Sequence, residues 1–118
     1  MYGLNMLSEA QAREVEAVLR EFCRGEPPPH VRPELEYAVR IEGNAVTLVE
    51  LRSAFRAEID RTESPVARFR FIAKYELWQL YYRDRNIRWH RYPPARPVKR
   101  LAVLFAEVRR DPTGIFWG

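Results

Sequence analysis

The 118 residues include one cysteine, two histidines and two lysines. A lone Cys23 cannot form an intrachain disulfide, which excludes a cross-linked exported scaffold and fits a reducing cytoplasm. His30 and His90 stand 60 positions apart with no Cys/His cluster near either, short of the three or four ligands a metal site requires. No stretch approaches the roughly 18 apolar residues of a membrane span. The start, Met1 to Leu7, lacks a charged segment followed by an apolar run, so neither insertion nor export is expected. Glycine is scarce at 5 against 9 prolines, which predicts rigid connections rather than loose linkers. No specific nucleotide, metal or catalytic motif occurs, so no cofactor is implied.

Apolar residues make up 47% of the chain and aromatics 13%, too many for a disordered polymer. One domain over 1–118 with a single two-layer core is the expectation. The net charge of +4 comes from arginine, 18 of the 20 cations, a bias that GC-rich coding alone can produce. Its distribution says more than its sum. Residues 1–66 hold 8 Lys/Arg against 12 Asp/Glu, and residues 67–118 hold 12 against 4. The basic half is also the aromatic half.

Ser8 and Gln11 have the spacing of a capping box that opens a helix. Ala12, Val15, Val18, Leu19 and Phe22 then fall on one stripe, with Glu9, Arg13, Glu16 and Arg20 opposite. Gly25 and Pro27-Pro28-Pro29 end the helix. From Leu35 the period changes to two, and Gly43-Asn44 joins a strand to a second one over Ala45 to Arg52. A two-residue turn sets Ile41 against Val46, Val39 against Leu48, and Tyr37 against Glu50. Residues 53–64 read as a long loop, and Pro65 restarts the chain as extended.

Val66 to Lys74, Trp78 to Arg83 and Ile87 to Tyr92 read as three strands of a meander with tight turns near Glu76-Leu77 and Arg85-Asn86. In that register Phe71, Tyr82 and Trp89 share an apolar face. Arg70 opposes Arg83, Arg83 opposes Arg88, and Tyr81 opposes His90 on the other. Directly opposed arginines repel, which suggests that an anionic ligand, or equally carboxylates from the acidic half, lies between them. Pro97 opens a last helix carrying Val98, Leu101, Ala102, Phe105 and Val108, and the apolar tail Ile115-Phe116-Trp117 is expected to dock on the core or on a second chain. The predicted fold is α+β: an N-terminal helix, an antiparallel sheet of about five strands (a hairpin plus a meander), and a C-terminal helix, with the helices on one face.

Several motifs, Pro-Pro-Pro-His30-Val-Arg32-Pro-Glu-Leu, Arg40-Ile-Glu-Gly43, Val49-Glu50-Leu-Arg52, Trp78, Arg88-Trp89-His90 and the ending Phe116-Trp117-Gly118, together resemble a small bacterial family of unknown function, the domain family numbered 3024. The resemblance spans nearly the whole chain. It implies an α+β bacterial protein with no assigned activity, and it carries over no functional residue.

The residues favour a noncatalytic nucleic-acid-binding surface for DNA or RNA: Arg68, Arg70, Lys74, Arg83 and Arg88 to meet phosphates, with Tyr81, His90 and Tyr92 as exposed rings that stack or hydrogen-bond. The alternative is a protein-interaction module, such as a homodimer in which the acidic half of one copy meets the basic half of another. A metal-dependent nuclease built on Glu42, Glu50 and Arg52 ranks third, because Glu42 and Glu50 are eight residues apart along the hairpin. With no convergent acid, base and nucleophile, an enzyme is not the favoured reading. Glu50 is expected to pair with an arginine such as Arg52, Arg32 or Arg91, and Cys23 to pack in the core or at its boundary.

Overall fold

In the computed structural model, the described residues are 6–24, 35–52 and 62–117. The fold is α+β, as expected. Helix α1 (Glu9–Arg24) precedes a five-stranded antiparallel sheet of β1 (Leu35–Glu42), β2 (Ala45–Arg52), β3 (Thr62–Ile72), β4 (Leu77–Arg83) and β5 (Trp89–Arg91), and α2 (Leu101–Arg110) follows. The strands lie side by side in chain order. The expected stop at Gly25, the proline run, His30, Arg32 and the loop over 53–61 lie outside the described residues.

The capping box closes as its spacing predicts. Ser8 N donates to Gln11 Oε1 at 2.7 Å and Gln11 N donates to Ser8 Oγ at 3.2 Å. Such a cap stabilises a helix by about 1 kcal/mol. Val15 and Phe22 bury the apolar stripe of α1, and Leu101, Leu104, Phe105 and Val108 bury that of α2. Both stripes pack on one side of the sheet, against Val46, Leu48, Phe69, Phe71, Trp78 and Leu80. An aromatic contact joins the layers, with Phe69 stacked on Phe105 at 4.4 Å between centroids, and within the sheet Phe71 meets Trp78 edge-on at 5.1 Å.

The first hairpin has the predicted register, with Ile41 opposite Val46, Val39 opposite Leu48 and Tyr37 opposite Glu50. Later boundaries differ. Strand β3 starts at Thr62, ahead of Pro65, and the β2–β3 register slips between Leu48 and Val49, leaving Val66 as the extra residue of a bulge. β4 pairs with β3 only over Arg68–Ile72, so Pro65, which has no amide to donate, sits where that side of β3 meets no strand. The last helix starts at Leu101 rather than at Pro97. Val98 instead spends its backbone on an antiparallel bridge to Trp78, with Trp78 N donating to Val98 O at 2.7 Å and Val98 N to Trp78 O at 2.9 Å.

This leaves α2 without a cap of its own, because Arg100 at its N-cap makes no side-chain bond and the first turn has no acid. Glu14 of α1 supplies it. The carboxylate accepts Leu101 N at 2.9 Å and Trp78 Nε1 at 3.2 Å, satisfying an orphan helix amide and a buried indole together. The C-terminal tail docks on the core. Asp111, with left-handed backbone at φ 45°, accepts Phe116 N and Trp117 N at 3.1 and 2.9 Å. Trp117 Nε1 donates to Val108 O at 2.8 Å, and its ring stacks on Phe22 and meets Tyr37 edge-on. No helix among the described residues is long and apolar enough to cross a membrane.

Candidate functional site

The sheet face turned away from both helices gathers the cations and rings of the candidate site. Strand alternation places Glu36, Ala38, Arg40 and Glu42 of β1 there, Ala45, Thr47, Val49 and Leu51 of β2, Arg68 and Arg70 of β3, Gln79, Tyr81 and Arg83 of β4, and Trp89 and Arg91 of β5. Rows crossing the strands can be read from the pairing. Arg40, Thr47, Arg68, Tyr81 and Arg91 form one, and Arg83 lies beside Trp89.

Arginines alternate with rings across this surface. The Arg68 guanidinium carbon lies 4.5 Å from the centre of the Trp89 ring, and that of Arg70 lies 5.7 Å from Tyr81. Arg68 Nε also donates to Thr47 Oγ1 at 3.0 Å, which fixes the side chain over the sheet. Burial holds the Arg68 guanidinium below its ordinary pKa, aided by the charge of Arg70 and opposed by Glu42, yet the group stays cationic at any physiological pH. At the β1 side, Arg40 binds Glu63 through Nη2 at 2.7 Å and Nε at 3.3 Å. Arg40 pairs with Thr47 and Glu63 with Leu51, so this fork crosses β2 above Val49, which is 1% exposed. Arg70, Arg83 and Arg91 have no carboxylate partner among the described residues.

The strands bring together four of the residues singled out from sequence, Arg68, Arg70, Tyr81 and Arg83, and separate the other four. Lys74 lies in the turn Ala73–Glu76 with its ammonium 5.4 Å from the Tyr75 ring. That turn has four residues where two were expected. The change slides β4 by an even number and so preserves which side chains share a face: Arg70 now opposes Gln79 and Phe71 opposes Trp78. The β4–β5 connection is longer by an odd number. Arg83 pairs with Trp89 across the loop 84–88, so β5 is turned over relative to the expected register.

The inversion moves two rings. His90 goes to the helix side beside Tyr82, its Nε2 2.6 Å from Asp84 Oδ2, and Trp89, expected in the core, joins the arginines. Arg88 is an exposed loop residue and opposes no arginine in the ladder. Tyr92, expected to be exposed, is 1% exposed: its amide donates to Leu80 O, its hydroxyl to Glu107 Oε2 at 3.1 Å, and its ring packs on Phe116. The direct repulsion between opposed arginines is therefore absent, because rings and Gln79 separate them.

Trp89 and Arg91 are the surface residues that sequence reasoning missed. The signal was Asp84. One of its oxygens accepts Asn86 N at 2.8 Å and Arg88 N at 2.9 Å, an Asx-type arrangement that builds a wider loop, and Ile87 takes the left-handed conformation at φ 64°. These bonds, led by the Arg88 amide and followed by the His90 ring, hold the Asp84 carboxyl below its usual pKa.

The other candidates resolve into structural roles. Glu42 and Glu50 lie on opposite faces of the sheet by register, so they cannot share an ion, and Glu50 pairs with Arg52 at 3.3 Å as expected. No group of three potential ligands gathers among the described residues. Cys23 is half-buried, and burial raises its thiol pKa, partly offset by Arg109 and reinforced by Glu36, which disfavours a thiolate nucleophile.

No curated protein and no solved structure matches this sequence. A domain family does: the one described as Domain of unknown function (DUF3024) matches residues 7–118, and the chain belongs to it.

Proposed function

We propose that this member of the DUF3024 family is a noncatalytic module that binds single-stranded nucleic acid across the open face of its sheet. The observation that carries the reading is the interleaving of Arg68 with Trp89 and of Arg70 with Tyr81 on one face, beside Arg83 and Arg91, which meet no carboxylate among the described residues. Arginines neutralise backbone phosphates, while half-exposed indole and phenol rings, or a guanidinium plane resting on them, offer stacking platforms to unpaired bases. A duplex hides its base faces, so the rings favour single strands.

Fluorescence anisotropy with labelled single-stranded and duplex oligonucleotides, repeated across a salt series, tests this. Engagement of four arginines gives a slope of log affinity against log salt of about −3 for single strands. Trp89→Ala removes one stacking platform, worth about 1–3 kcal/mol of binding. Arg70→Glu with Arg83→Glu should abolish binding while leaving the fold intact. Undiminished affinity in that double variant, or no salt dependence in the parent, would refute the surface.

A further inference from the structure

The open face is not uniform in charge. Toward β4 and β5, Arg70, Arg83 and Arg91 meet no carboxylate among the described residues. Toward β1, two arginines and two glutamates surround a shallow pocket of about 340 Å³. Its walls are the Arg40–Glu63 fork, Arg68, and Glu42 at the end of β1, over a floor of Thr47, Val49 and Pro65. Charges that cancel do not draw in a phosphate, and the glutamates repel one, so this corner of the face is suited to a neutral polar group. The fork occupies both oxygens of Glu63 and two nitrogens of Arg40, which makes the pair a wall rather than a reader. Arg68 spends Nε on Thr47 and keeps its two Nη groups. Glu42 accepts no hydrogen bond from a described residue, and its charge acts on the Arg68 guanidinium. Glu42 on β1 and Arg68 on β3 stand two strand spacings apart, about 10 Å, with only the small Ala45 and Thr47 of β2 between them. The gap suits a flat group that donates along one edge and accepts along the next.

We infer that this pocket reads an unpaired guanine in the bound strand, Glu42 accepting from N1–H and N2–H2 while the Arg68 Nη groups donate to O6 and N7. The inference rests on the single-strand binding proposed above. Stacking on Trp89 and Tyr81 tolerates any base, so a preference has to come from hydrogen bonds to a base edge. Guanine alone sets two donors side by side, matching the two oxygens of one carboxylate, and carries on its adjoining edge the acceptor pair that an arginine fork recognises. Adenine and cytosine offer a carboxylate one amino group beside a ring nitrogen that repels it, and thymine or uracil offers one N–H between two carbonyls. Arg68 also links the two functions of the face, because its guanidinium rests on the Trp89 ring while its edge looks into the pocket. A base seated there leaves its neighbours in the strand beside Tyr81 and the cations of β3 to β5.

Fluorescence anisotropy with labelled oligothymidine, unsubstituted or carrying one guanine, adenine or cytosine at its centre, tests the pocket. The guanine strand should bind about tenfold more tightly than the other three. Inosine in its place lacks the N2 amino group and 7-deazaguanine lacks the N7 acceptor, so each should lose a large part of that gain, the first through Glu42 and the second through Arg68. These two strands test the contacts without altering the protein. Glu42→Gln replaces one acceptor oxygen with a donor and should bring the guanine strand down to the affinity of unsubstituted oligothymidine, with circular dichroism confirming the fold. Equal affinity for all four strands, a preference for another base, inosine binding as well as guanine, or a guanine preference that survives Glu42→Gln overturns the pocket and leaves the sheet-face reading standing. Failure of every strand to bind overturns both.

Discussion

The two faces of the sheet are made by the same five strands and differ in what holds them. On the helix side, Phe69, Trp78, Leu80 and Tyr92 are shielded from water by two helices and by the docked tail. On the open side, long arginines lie across rings and a threonine, and the charged ends stay within reach of solvent. Buried apolar area at about 25 cal/mol per Å² stabilises the first face. Exposed cation–ring contacts contribute about 0.5–1 kcal/mol each on the second. One face specifies the fold, and the other is free to vary its chemistry with little cost in stability.

The sharpest break of this contrast is on the helix side. Trp78→Ala should destabilise the protein by about 3–5 kcal/mol, read as a lower midpoint in urea, because it opens a cavity and leaves Glu14 half-satisfied. Next comes Glu14→Ala, which strands the Leu101 amide and the Trp78 indole and should cost about 1–3 kcal/mol by the same measurement. Arg70→Glu with Arg83→Glu, on the open face, should change stability by no more than about 0.5 kcal/mol even though it removes the proposed nucleic-acid binding. Asp84→Asn should act locally and through pH. The folded pKa of Asp84 is depressed, so its bonds stabilise the loop above the ordinary aspartate range and are lost as pH falls through the lowered value. In the parent, hydrogen exchange at Asn86 and Arg88 should therefore accelerate in acid relative to neighbouring amides, and in the variant this excess should vanish.

The first hairpin was legible residue by residue because Gly43-Asn44 permits a two-residue turn and the flanking alternation tolerates only one register. The second half was legible as strands but not as faces. Each connection there is set by side chains that bond back to the backbone, and Asp84 does this across four positions, which periodicity does not register. One residue of difference sent His90 to the helix side, where it stays exposed, and Trp89 to the open face. The candidate site was thus half visible: Arg68, Arg70, Tyr81 and Arg83 came from alternation within β3 and β4, whereas Trp89 and Arg91 depended on the loop. Tyr92 reads as an exposed ring at the end of a basic strand. Only tertiary packing against Phe116, part of a tail that returns to the core, reveals it as interior.

Glu14 also bears on how the molecule comes apart. Its two hydrogen bonds reach partners 64 and 87 positions away, in β4 and at the start of α2. A fluctuation that lifts α1 from the sheet strips the only described side-chain cap from α2 and uncovers the indole at the centre of the core. The helices therefore cannot open one at a time at little cost. They belong to one cooperative unit, in which the sixteen-residue first helix and the start of the last one exchange with solvent together.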